Sequence, residues 1–174
     1  KKPASIRDLT RLSTPDLARA LDHPNGTERD RIHQELLRRN EASAVSVLRE
    51  LAGMSLRPAC RIQALAVLDG LRAVSAEVLQ GALRDSHPEV RAQAILVSEK
   101  FFTDAPITDA LLKLAADPSI RVRCQLALSL GVSATDQAAQ MLSDLLLRDG
   151  SDPWLRAAVL SSATAHSPAI VRNL

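Results

Sequence analysis

The chain has 174 residues, of which 46% are hydrophobic but only 2% aromatic, and its 22 basic and 20 acidic residues leave a net charge of +2. That length suits one domain or one short superhelix, and the even mixture of signs argues against the dense basic field that duplex binding requires. No apolar run approaches the roughly 18 residues needed to span a bilayer.

With no Tyr and only six Gly, packing falls to Ala and Leu. No strand-like alternation runs for any length, so the expected class is all-α. The chain opens on Lys1 rather than Met, and is read as a piece of a longer protein whose targeting signals lie elsewhere.

Residues 1–11 form a lead-in without clear pattern. Thr14 before Pro15 predicts an N-cap and a short helix through Leu21. The turn Asp22-His23-Pro24-Asn25-Gly26 follows, and Thr27 is expected to cap a second helix whose apolar residues are Ile32, Leu36 and Leu37. That helix carries Glu28, Arg29, Asp30, Arg31, Glu35, Arg38 and Arg39, as suits a terminal unit with no neighbour on one face. Residues 12–40 are therefore read as a capping hairpin.

Four further hairpins are predicted at 41–71, 74–103, 106–132 and 135–166, with 167–174 opening another element. Each begins with a narrow amphipathic stripe, such as Ile107, Ala110, Leu111 and Leu114, the signature of an outer helix with one wet face. Each then enters a second, inner helix through Pro-x-x-Arg: Pro58 to Arg61, Pro88 to Arg91, Pro118 to Arg121 and Pro153 to Arg156, at intervals of 30, 30 and 35 residues. Proline fits the first turn, where its missing N–H costs nothing. Equivalent positions read Cys60, Val90, Ile120, Leu155, then Ala64, Ala94, Cys124, Val159. A period of this size marks units that bury their apolar faces only by stacking.

The recurring arginines stand in the first helical turn, where the helix dipole disfavours a cation. Asp85, Asp117 and Asp152 lie in the turns just before three of these helices. They are expected to pair with Arg61, Arg91, Arg121 and Arg156 as a ladder that fixes repeat register.

No His-x-x-x-His, Cys-x-x-Cys, Gly-x-Ser-x-Gly or glycine-rich phosphate loop is present. No catalytic, metal or cofactor site is expected. Cys60 and Cys124 lie two repeats apart, on the order of 20 Å at ordinary helix spacing, beyond the roughly 7 Å that a disulfide allows. The inner-helix positions left over by core packing are Gln63, Glu89, Gln93, Lys100, Arg123 and Trp154. They are the candidate concave binding face. Mixed in charge and poor in aromatics, that face suits a protein better than nucleic-acid bases.

The Pro-x-x-Arg hairpins resemble short HEAT-like repeats. The expected fold is a right-handed α-solenoid of about five such αα-hairpins. Four stretches carry a closer resemblance: 21–26 with Arg29-Asp30 and Leu36-Leu37, 61–71 (RIQALAVLDGL), 122–131 (VRCQLALSLG) and 154–162 (WLRAAVLSS). In that order they resemble the HEAT region of PVC-type multidomain bacterial dehydrogenase/haem-binding proteins, although this chain has Thr27-Glu28 where that family often has Trp. The resemblance implies an exported parent, periplasmic or in the cell envelope, with a propeller-like sugar-dehydrogenase domain before the repeats and a c-type cytochrome after them. It also implies a rigid connector between neighbouring redox domains; the chain itself is expected to be non-catalytic and monomeric, with proteins as its partners. Two other HEAT-like classes are weighed beside it: DNA-binding alkylpurine glycosylases and bilin lyases. The first needs a basic, aromatic-bearing cleft and the second an acid/base cluster.

Overall fold

A computed structural model describes residues 8–166. The last eight residues, read above as the start of another element, and most of the lead-in lie outside the described residues. Among those described there are ten α-helices and no strand. The chain divides into two compact units, Lys1–Val74 and Ser75–Leu174.

The first unit holds α1 (Thr14–Arg19), α2 (Gly26–Arg39), α3 (Val45–Met54) and α4 (Pro58–Gly70). α1 packs on α2 and α3, while α4 packs on α2 and α3. Leu17, Leu21, Ile32, Leu36, Leu48, Leu65 and Leu68 are fully buried among them. Two caps differ from expectation. Ser13, not Thr14, precedes α1 and accepts from the Asp16 N–H, with Thr14 inside the helix and buried. Asn25, not Thr27, caps α2, because its amide oxygen accepts from both Thr27 and Glu28 N–H groups. Asn40 closes α2 in the left-handed region at φ 51°, a conformation asparagine tolerates better than most residues.

The second unit holds α5 (Ala76–Leu83), α6 (Pro88–Ser98), α7 (Ala105–Leu114), α8 (Ile120–Leu130), α9 (Asp136–Asp149) and α10 (Pro153–Ser162). α6, α8 and α10 pack side by side as an inner layer, backed by α5, α7 and α9. Helices stack on helices of the same layer, so this unit is built of solenoid-type hairpins rather than as a bundle around one axis.

The inner helices share one register, and it is not the register of the prolines. α4, α6 and α10 begin at Pro58, Pro88 and Pro153, but α8 begins at Ile120, two residues after Pro118. Asp117 explains the delay. Its carboxylate accepts the Ser119 N–H just as Asp85 accepts the His87 N–H before α6, so each helix starts three residues after its aspartate and Pro118 falls inside the turn instead of opening the helix. Counting from each true start, the third residues are Cys60, Val90, Val122 and Leu155, and the seventh are Ala64, Ala94, Leu126 and Val159, all eight with no exposed surface. Ile120 and Cys124, expected in these columns, are only half-buried. Repeats slip by two residues here because the buried columns, not the proline, fix where a helix sits.

An interaction face and the arginine ladder behind it

The fourth residue of every inner helix is arginine: Arg29, Arg61, Arg91, Arg123 and Arg156. Each guanidinium folds back over its own helix start and donates through Nη1 to a turn carbonyl six residues earlier. The acceptors are His23 (2.8 Å), Ser55 (2.6 Å), Asp85 (2.8 Å), Asp117 (2.6 Å) and Gly150 (2.8 Å). A cation so close to a helix N-terminus is disfavoured by the dipole; the carbonyl supplies part of the compensation.

For Arg91 and Arg123, in the second unit, carboxylates supply the rest. Asp117 takes Arg91 in a two-pronged contact of 2.7 and 2.8 Å, and Asp149 takes Arg123 at 2.8 and 3.0 Å. Asp117 thus serves two arginines, one through its carboxylate and one through its carbonyl, linking three consecutive turns. The Asp117 carboxylate raises the Arg91 pKa above its ordinary value through those hydrogen bonds, which outweigh the burial that lowers it. In the first unit a glutamine takes the acceptor's place: Gln63 accepts from Arg29 Nε at 3.0 Å and donates to Asp30 at 2.6 Å.

Three expected assignments are corrected by this geometry. Arg121 is not a rung. As the second helical residue of α8 it points outward, 77% exposed, and pairs with Glu89 at 2.7 Å. Asp152 is the N-cap of α10, accepting from the Trp154 and Leu155 N–H groups, and Asp149 is the rung that sequence reading missed. Arg123, expected on the binding face, is buried in the ladder instead. The signal was present: Asp85, Asp117 and Asp149 recur at a constant 32 residues. The Arg121-Val122-Arg123 pair simply offers two candidates, and only burial of Val122 decides between them.

The open face of the inner layer follows from the same register. Second residues are Glu89, Arg121 and the 79% exposed Trp154. Sixth residues include half-buried Gln93 and Gln125, and Gln125 donates to Ser129, which in turn donates to Glu99. Ninth residues are Leu96 and Leu128, each nearly half exposed. Lys100 is exposed in the 3-10 turn that ends α6. The structure therefore brings Glu89, Gln93 and Trp154 onto one layer, adds Arg121, Leu96 and Leu128, and gives Gln63 a bonding role in the first unit.

Among the described residues, no three His, Cys, Asp or Glu side chains group as a metal site would need. Cys60 and Cys124 are free thiols whose pKa values burial pushes up, the opposite of an activated nucleophile. Burial also lowers the His33 pKa, against the pull of Asp30. A cavity of about 50 Å³ beside Phe102, Leu111, Leu130 and Met141 is far below the size of a ligand pocket. No described helix is long and apolar enough to cross a membrane. In comparison with known families, the HEAT repeats match residues 75–164, a span that opens at the first residue of the second unit. No curated protein matches the chain.

Proposed function

This chain belongs to the HEAT-repeat family, and from that premise we propose that it is a non-catalytic protein-interaction module serving as a rigid connector between the redox domains of a larger dehydrogenase–cytochrome protein. HEAT repeats are interaction scaffolds that typically bind proteins. The observation that carries the reading is the composition of the open face of α6, α8 and α10. An exposed Trp154, two half-exposed leucines and the Glu89–Arg121 pair stand together there. Aromatic and aliphatic anchors beside a polar rim are the makings of a protein–protein hot spot. Phosphate backbones call for a row of unpaired cations, and the cation nearest the centre of this face is already matched by Glu89.

The ladder fits the connector role. Its arginines turn inward to carbonyls and carboxylates of neighbouring turns, so within the second unit the face is presented in one fixed register. The binding surface is then preorganised, which lowers the entropy lost on docking.

Trp154 is the only Trp, so its emission reports the face directly. Titration with a c-type cytochrome domain from the proteins the sequence resembles should quench that emission saturably. A labelled duplex at roughly 150 mM salt, where exposed charges are screened beyond about 8 Å, should bind weakly. Absence of saturable quenching would defeat the connector. Tight duplex binding abolished by Arg121→Glu would assign the face to nucleic acid.

A further inference from the structure

We propose that the α9–α10 end of the second unit is a docking face for one further helical hairpin carrying an aspartate in the turn between its helices. The inference concerns the end of the stack, not the open face of the inner layer, and holds whatever protein the connector reading assigns to that face.

Each earlier hairpin of this unit is completed by the one after it. The Arg91 guanidinium receives the Asp117 carboxylate 26 residues on, and Arg123 receives Asp149 at the same spacing. The eighth residues of α6 and α8, Ile95 and Ala127, have no exposed surface. Two residues before the Asp85 turn, Leu83 is 1% exposed.

In the last hairpin the same positions stand open. Arg156 makes the first half of its contact, to the Gly150 carbonyl at 2.8 Å, but its side chain is exposed, and among the described residues no carboxylate reaches it. Leu160, equivalent to Ile95 and Ala127, is 61% exposed, and Leu147, equivalent to Leu83, is 65% exposed. A half-made rung flanked by two leucines matches the surface that α6 offers to α8, and α8 to α10.

Charge argues against a second copy as the occupant. Two α10 ends facing each other would set Arg156 against Arg156. The first hairpin offers little in return: Leu37, at 37%, is its one exposed large hydrophobic among the described residues, and its carboxylates are engaged, Asp22 by Arg57, Asp16 by Arg19, Glu28 by Arg31, Asp30 by Gln63 and Glu35 by Arg38 and Arg39. A hairpin with an acidic turn satisfies the arginine and covers both leucines at once.

The test supplies that hairpin from the chain's own sequence. Residues 133–166 are repeated directly after His166, in place of the last eight residues, so that the added copy of the Asp149 turn falls near the ladder spacing beyond Arg156. The unaltered full chain is the reference. The expected result is one cooperative thermal transition with a midpoint at least about 5 °C higher, a shift of the size that a new repeat interface produces in a domain of this length. Asp→Asn in the added turn or Arg156→Gln should remove most of that gain, and both together should remove no more than either. A separate transition for the added hairpin, an unchanged midpoint, or a gain indifferent to both substitutions would overturn the proposal. So would sedimentation showing the full chain to be a dimer that Leu160→Glu dissociates, since the face would then belong to a second copy.

Discussion

Arg91 and Asp117 meet over two hydrogen bonds of 2.7 and 2.8 Å, with side chains only 12% and 3% exposed. The same aspartate accepts the Ser119 N–H and, through its carbonyl, Arg123. Removing this carboxylate leaves a guanidinium buried without its counter-charge and frees the turn that precedes α8. Asp117→Ala should therefore cost about 3–5 kcal/mol, the range for breaking a buried pair from one side, read as a shift in denaturant midpoint at constant slope. That is a large share of the roughly 5–15 kcal/mol holding a typical domain.

Arg121 makes the opposite case. Its pair with Glu89 is short at 2.7 Å, but the two side chains are 77% and 40% exposed. Exposed pairs contribute about 0–1 kcal/mol, so Arg121→Ala should lower stability by less than about 1 kcal/mol. A larger loss in the same denaturant assay would return Arg121 to the ladder.

Gly131 follows α8 where the end of α10 comes close. A Cβ built there would lie 2.8 Å from Ser162 Oγ, 2.9 Å from its Cβ and 3.1 Å from its Cα. The Ser162 hydroxyl also donates to the Leu128 carbonyl at 3.2 Å, so it cannot swing away freely. Gly131→Ala should destabilise by about 1–3 kcal/mol through overpacking, and adding Ser162→Gly should recover part of that loss in the thermal midpoint.

Glu35 gives a pH signature. Hydrogen bonds from Arg38 and Arg39 hold its carboxyl at about 2, below the ordinary 4.5. A carboxylate depressed in the folded state contributes its full stabilisation above the unfolded value, and loses it as pH falls from there through the folded value. Thermal midpoints of the native chain and Glu35→Gln should therefore converge between about pH 4.5 and 2, and stay separated by a constant amount near neutrality. Parallel curves across the whole range would show that Glu35 does not carry the effect.

How much of this was legible in the sequence depended on which physical signal carried it. The all-α class and the hairpin order were plain, because each inner helix repeats buried positions at its third and seventh residues. The register of α8 was not, because Pro118 looks like the other helix-opening prolines but sits inside the turn that Asp117 forms, the same turn that Asp85 forms ahead of Pro88. That slip alone placed Arg121 in the ladder and Arg123 on the face. Arg29 was obscured for a different reason: the glutamine that accepts from it, Gln63, is not the acidic partner that charge pairing leads one to seek. The apolar part of the face, Leu96 and Leu128, was hidden because leucine on an inner helix reads as core until burial is known.

The central claim is that inward arginines fix the stacking of the second unit, while the outward Glu89–Arg121 pair contributes little to it. A pair of double-mutant cycles tests it most directly, one on Arg91 and Asp117 using Arg91→Gln and Asp117→Asn, the other on Glu89 and Arg121 using Glu89→Gln and Arg121→Gln. We expect a coupling energy of about 2 kcal/mol or more for the first pair and below about 0.5 kcal/mol for the second, within the range that contacting residues show. Equal couplings, or a larger one for Glu89 and Arg121, would contradict the account.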